Sequence, residues 1–198
     1  MRMEPSRPPM RPRFFELYDD VYVPRRWHLT GPVDSQGQEP DDVWQFTGGH
    51  PVKDPGRLRM VYDVRGRPLD YSHGRLNVPI VHARVAEVFT QLAPRDVQLL
   101  PVEVEDQSDP FFILVVTRII RCIDEKASGI RRWTPEDGLP EKVGQYKSVE
   151  SLHIDKARVG DARIFRPEDW EVVIIVSHQI KAALEHIKAT GVKFGAEL

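Results

Sequence analysis

Apolar residues recur along this chain with two different periods, and the places where the period changes divide it into elements. Between Pro79 and Leu92, the residues Val81, Val85, Val88, Phe89 and Leu92 stand at i, i+4, i+7, i+8 and i+11. On a helix of 3.6 residues per turn these five share one face, so the spacing predicts an amphipathic helix over 79–92. Asn77 is a candidate N-cap, Pro79 suits the first turn, and Pro94 blocks continuation. A second helix is predicted over 178–189. Ser177 can cap it, Ile180, Ala183, Leu184 and Ile187 form its apolar face, and Gly191 can close it in left-handed geometry.

Elsewhere the pattern is that of strands. Val97 to Glu105 and Pro110 to Arg121 are rich in β-branched and aromatic residues, and the turn formers Asp106 to Asp109 separate them, which predicts an antiparallel hairpin. Its second run, FFILVVTRII, is apolar at consecutive positions, so both faces must be covered and the strand must be central. Shorter strands are expected at Phe14 to Tyr18, Trp27 to Leu29, Arg57 to Val64, Ser148 to Ile154, Ala162 to Phe165, Glu171 to Val176 and Val192 to Phe194. Two stretches, Thr30 to Pro55 and Lys126 to Lys147, are punctuated by glycine and proline and read as loops, the first anchored by Trp44 and Phe46. These elements describe an α+β fold, a mostly antiparallel sheet with the two helices packed on it.

Composition narrows the picture. A chain of 198 residues with 40% hydrophobic and 29% charged residues can bury one sizeable core. The expectation is one α+β domain over 14–198, with room for two lobes meeting near 93–96, preceded by a flexible arginine- and proline-rich arm at 1–13. A net charge of −2 supplies no field for phosphate contacts, so nucleic acid is not an expected partner. The longest apolar run, Phe111 to Val116, is too short to span a bilayer, and the first residues lack the apolar segment of a secretory signal. With Cys122 as the lone cysteine no internal disulfide can form. Together these predict a cytoplasmic protein without a membrane partner.

Residues that could run a reaction are scattered. His178 and His186 lie on one predicted helix but stand ~12 Å apart along its axis, too far to share a metal, which needs i+3 or i+4 spacing. His28, His50, His73, His82 and His153 form no motif, and Cys122 has no activating base beside it. No G-x-S-x-G, P-loop or dinucleotide-binding glycine pattern occurs. The acid pairs Asp19 with Asp20, Asp41 with Asp42, Glu103 with Glu105 and Glu168 with Asp169 sit where solvation explains them. No catalytic, metal-binding or cofactor-binding residue is assigned, and the chain is not expected to be an enzyme. A binding surface is the better reading. Tyr18, Asp19, Asp20, Trp27, Asp34, Glu39, Asp41, Asp42 and Trp44 bring aromatic anchors and charge together in the first quarter of the chain, the makeup of a protein interface. For either tryptophan taken alone, a core position pinning the long loop is the stronger reading.

Several stretches carry a family resemblance: Tyr18 to Asp20 with Trp27, LLPVEVE from Leu99, CIDE from Cys122, IFRPEDW from Ile164 and TGVKF from Thr190. Through them the chain, from about Phe14 to Phe194, resembles the immunity proteins of bacterial polymorphic toxin systems, in the family numbered eleven. That resemblance implies a protein encoded beside a toxin gene, which binds the cognate toxin one-to-one, occludes it, and uses no catalytic motif or cofactor. It names neither the toxin, the interface residues nor the oligomeric state. Two other readings stay open. One is a small-molecule-binding or regulatory domain; the other is an enzyme whose site gathers His28, His50, His73, Asp70 and Asp124 from distant loops into a deep pocket.

Overall fold

The structure is a computed structural model that describes residues 12–53 and 55–198. All but the last two residues of the arm expected at 1–13 lie outside the described residues. In chain order the strands are β1 (Phe14–Asp19), β2 (His28–Leu29), β3 (Leu58–Met60), β4 (Tyr62–Val64), β5 (Tyr71–His73), β6 (Pro79–His82), β7 (Val97–Val104), β8 (Phe111–Val116), β9 (Ile119–Ile120), β10 (Ile130–Arg132), β11 (Tyr146–Val149), β12 (Ile164–Pro167), β13 (Ile174–Ser177) and β14 (Val192–Glu197). The helices are α1 (Ala83–Leu92) and α2 (His178–His186). The fold is α+β, and ten of its strands form two five-stranded sheets in place of one, ordered β3-β7-β8-β6-β5 and β14-β1-β13-β12-β9, while β2 with β4 and β10 with β11 form two-stranded sheets. Within them β3 with β7 and β9 with β12 run parallel, and the remaining pairs are antiparallel.

The predicted hairpin is the centre of the first sheet. β7 and β8 pair from Val97 opposite Val116 to Val102 opposite Phe111, and β6 covers the other edge of β8. Side chains of β8 then alternate between two cores. Phe111, Ile113 and Val115 pack with Trp27, Phe46, Leu58 and Met60 under the 30–55 loop. Leu114 and Val116 join Val85, Phe89, Ile164, Val176, Ile180 and Leu184, a core to which both helices and both sheets contribute. A third cluster, with Phe14, Cys122, Phe165 and Ile175, fills the opposite face of the second sheet. The uninterrupted apolar run thus reflects burial on both sides.

Element boundaries moved where pairing outweighed local pattern. The helix expected over 79–92 begins at Ala83, because Ile80 pairs with Ile113 and the Pro79–His82 stretch belongs to the sheet. His82 caps the helix in place of Asn77, its Nδ1 accepting from the Arg84 N–H at 3.2 Å. The run 57–64 divides at Val61, whose carbonyl accepts from the Thr30 N–H at 3.0 Å, and its halves enter different sheets. The run 110–121 likewise divides at Thr117 and Arg118, where the chain crosses to the second sheet. The expected loop 126–147 contains β10 and the first residues of β11, which pair with Ile130 opposite Val149.

The second helix starts as expected, with Ser177 Oγ accepting from the Ile180 N–H. It ends at His186, and Lys188 (φ 51°) makes the first left-handed step before Gly191 (φ 83°). A Cβ on Gly191 would collide with the Tyr71 carbonyl oxygen, so this glycine lets the α2–β14 turn lie on β5. Gly191→Ala combines that collision with a disfavoured φ and is expected to cost about 2 kcal/mol. Thermal unfolding against wild type checks it, and an unchanged Tm would refute the close approach.

Candidate functional site

The residues singled out from the sequence divide by what they touch. Asp19, at the end of β1, is an internal fastener. Its two oxygens receive Arg26 Nη1 at 2.6 Å and Nη2 at 2.7 Å, and Oδ2 also accepts from the His73 N–H. Trp27 is fully buried, with Nε1 donating to Ser72 Oγ at 2.7 Å and its ring beside Phe111, which makes it a core residue. Asp20, Asp34 and Asp42 hold turns, accepting from the backbone N–H groups of Tyr22, of Gln36 and Gln38, and of Trp44. Glu39 pairs with Arg75. Tyr18, Asp41 and Trp44 remain exposed. Trp44, at 60% exposure, does not anchor the long loop; Phe46 and Val52 do so from the core.

Trp44 forms one wall of an open groove of about 400 Å³. The same loop supplies Thr47, Gly48 and His50, the turn after β5 supplies Leu76 and Asn77, and Ile119 of β9, Arg166 of β12, Glu171 and Val172 complete the lining. The groove therefore lies where loops of the first sheet meet the edge of the second. Gly49 makes that meeting possible, since at φ 75° a Cβ would run into the Ile119 side chain. Leu76 and Asn77 both adopt left-handed backbone (φ 60° and 57°), a conformation that costs a non-glycine residue ~1 kcal/mol or more. Val172, like Trp44, is 60% exposed, so two solvent-exposed apolar side chains line one groove.

Arg166 lines this groove and is only 1% exposed. On β12 it follows Phe165, which packs into the third cluster, and shares a face with Ile164, which belongs to the core between the sheets. Nη1 donates to the Glu171 carbonyl, whereas Nε and Nη2 find no acceptor among the described residues. Burial lowers the arginine's pKa, and the nearby Tyr71 and Glu171 oppose that shift. Tyr71 in turn is raised by burial, and its hydroxyl meets His73 Nε2 at 3.0 Å. Burial also pushes His73 from 6.5 down to about 4; Asp19 resists, and Arg166 and Arg26 reinforce the shift. Among the described residues, the carboxylate in hydrogen-bond contact with the two buried guanidinium groups of this cluster is Asp19, which is committed to Arg26, while Glu171 acts on Arg166 only through space and its backbone carbonyl.

That shift sets a pH dependence. A histidine held neutral when folded but free to protonate when unfolded leaves the unfolded state with more protons, so its contribution is complete above the unfolded value of 6.5 and declines as pH falls toward about 4. Urea titrations at several pH values should show this decline, and His73→Gln should flatten it. An acid limb of the same slope in the variant would remove His73 as its source.

The five residues of the enzyme reading sit in separate settings. His28 is exposed on β2, His50 lines the groove, and His73 bonds Tyr71 inside. Asp70 accepts from the backbone and hydroxyl of Thr190, and Asp124 accepts from the N–H groups of Lys126 and Ala127. Among the described residues no group of three or more His, Cys, Asp and Glu could hold a metal ion, and no helix is long and apolar enough to cross a membrane. Burial raises the Cys122 thiol to about 11, which keeps it protonated at neutral pH.

Compared with models of known protein families, residues 8–196 match the Immunity protein family (Imm11). The chain belongs to this family of immunity proteins. No curated protein matches the chain significantly. Of the residues lining the groove, Trp44 stands among the candidate surface residues of the sequence, and Ile119, Arg166 and Val172 do not. The signal for Arg166 was present in the Imm11 chain: a lone charge at an inward position of an apolar strand, inside the IFRPEDW stretch.

Proposed function

We propose that this Imm11 protein binds a cognate toxin encoded beside it, one-to-one, and neutralises it by covering or distorting its active site. The match to the immunity family over residues 8–196 carries the reading. The groove supports it. An exposed tryptophan on a preformed cleft is an anchor of the kind protein interfaces use, and the exposed Val172 adds apolar surface beside it. The chain acts in this reading as a binder and not as an enzyme, in the cytoplasm, where the toxin would otherwise reach its target. Residues 14–198 serve as one α+β domain presenting that surface.

Co-expression with the neighbouring toxin in a sensitive host tests the proposal. Survival, together with a 1:1 complex measured by light scattering after size-exclusion chromatography, is the expected result. Continued toxicity without a complex would overturn it.

A further inference from the structure

The guanidinium of Arg166 is held by one corner only. Its Nη1 donates to the Glu171 carbonyl, leaving the Nε and Nη2 edge without an acceptor among the described residues. That edge, buried in the free chain, carries two parallel N–H groups at the spacing of the two oxygens of a carboxylate, the arrangement for which arginine is suited. Of the acids nearby, Asp19 is bidentate to Arg26, and Glu171, whose Oε1 accepts from the Asp169 N–H at 3.1 Å, lines the same groove and attracts Arg166 through space without a carboxylate hydrogen bond to it. A buried cation with no carboxylate hydrogen-bonded to it is unfavourable, and an anion that arrives on its free edge relieves that cost. The groove that Arg166 lines has apolar walls in Trp44, Leu76, Ile119 and Val172, which suit an aromatic or branched group next to the charge.

We propose that this groove is a carboxylate-binding site, in which the Nε and Nη2 edge of Arg166 receives the carboxylate and Trp44 and Val172 flank the apolar group that carries it. The carboxylate belongs to the partner protein, as an acidic side chain or a chain terminus inserted into the groove; this choice of source rests on the immunity reading.

The test uses the full chain and phenylacetate, with 2-phenylethanol as the uncharged control, followed through the Arg166 Nε–H resonance. A saturable shift with phenylacetate and none with the alcohol is expected. Trp44→Ala, a change at an exposed position, should weaken phenylacetate about threefold or more. Arg166→Gln should weaken it at least about tenfold. No shift, or the same shift with both compounds, would overturn the site, and because this comparison uses wild type it does not depend on the folding of any variant. In a second arm phenylacetate is added to the toxin complex. Competition supports the partner's carboxylate as the occupant, whereas binding without competition overturns that source in favour of a free small carboxylate. Absence of any toxin complex would sink the immunity reading while the titration of the free chain still decided the site.

Discussion

Asp19→Asn is expected to lower folding stability by roughly 3–5 kcal/mol, the range for removing one partner of a buried ion pair. Both side chains are nearly sealed, at 9% exposure for Asp19 and 5% for Arg26, and the pair is bidentate at 2.6 and 2.7 Å. The asparagine leaves Arg26 as an uncompensated buried cation in a cluster that already contains Arg166. It also weakens the acceptor for the His73 N–H, through which the end of β1 is tied to β5. Urea unfolding of wild type, Asp19→Asn, Arg26→Met and the double variant measures the effect. The double variant should lose clearly less than the sum of the singles, because removing both charges leaves none stranded. Asp20→Asn, one residue away but holding only a turn, should stay within about 0.5 kcal/mol of wild type. Equal small losses at both positions would show that the pair is not the fastener its geometry describes.

What could be read in advance follows from how local each signal is. The β7–β8 hairpin and α2 were legible because a turn, a cap and a sustained apolar period lie together in sequence. β5 and β10, three residues each, are too short to show any period, and nothing in the run 57–64 announces that its halves pair with strands of different sheets. At 79–82 the pattern fitted helix and strand alike, and the ladder with β8 decided. The acids of the first quarter looked like an interface since proximity in sequence was the available measure. In the fold Asp19 turns inward, and Asp20, Asp34 and Asp42 close turns. The groove draws on stretches from Trp44 to Val172, joined by a sheet-to-sheet meeting that no local pattern encodes.

The two tryptophans of the candidate surface should separate cleanly when truncated. Trp27→Ala removes a ring with no solvent exposure, 5.4 Å from Phe111 between centroids, and strands Ser72 Oγ, so a loss of about 3–5 kcal/mol is expected. Trp44→Ala removes a ring that is 60% exposed, and stability should change by no more than about 0.5 kcal/mol. Binding should reverse the order of the two residues. As a rim anchor of the groove, Trp44 is expected to contribute about 2 kcal/mol to the toxin complex, roughly a 30-fold rise in Kd on truncation. Trp27 should matter for the complex only through the fraction of chain that remains folded. Denaturant titration and calorimetric binding on the same two variants check both halves. A Trp44→Ala protein that unfolds early yet binds normally would return that residue to the core and move the interface away from the groove.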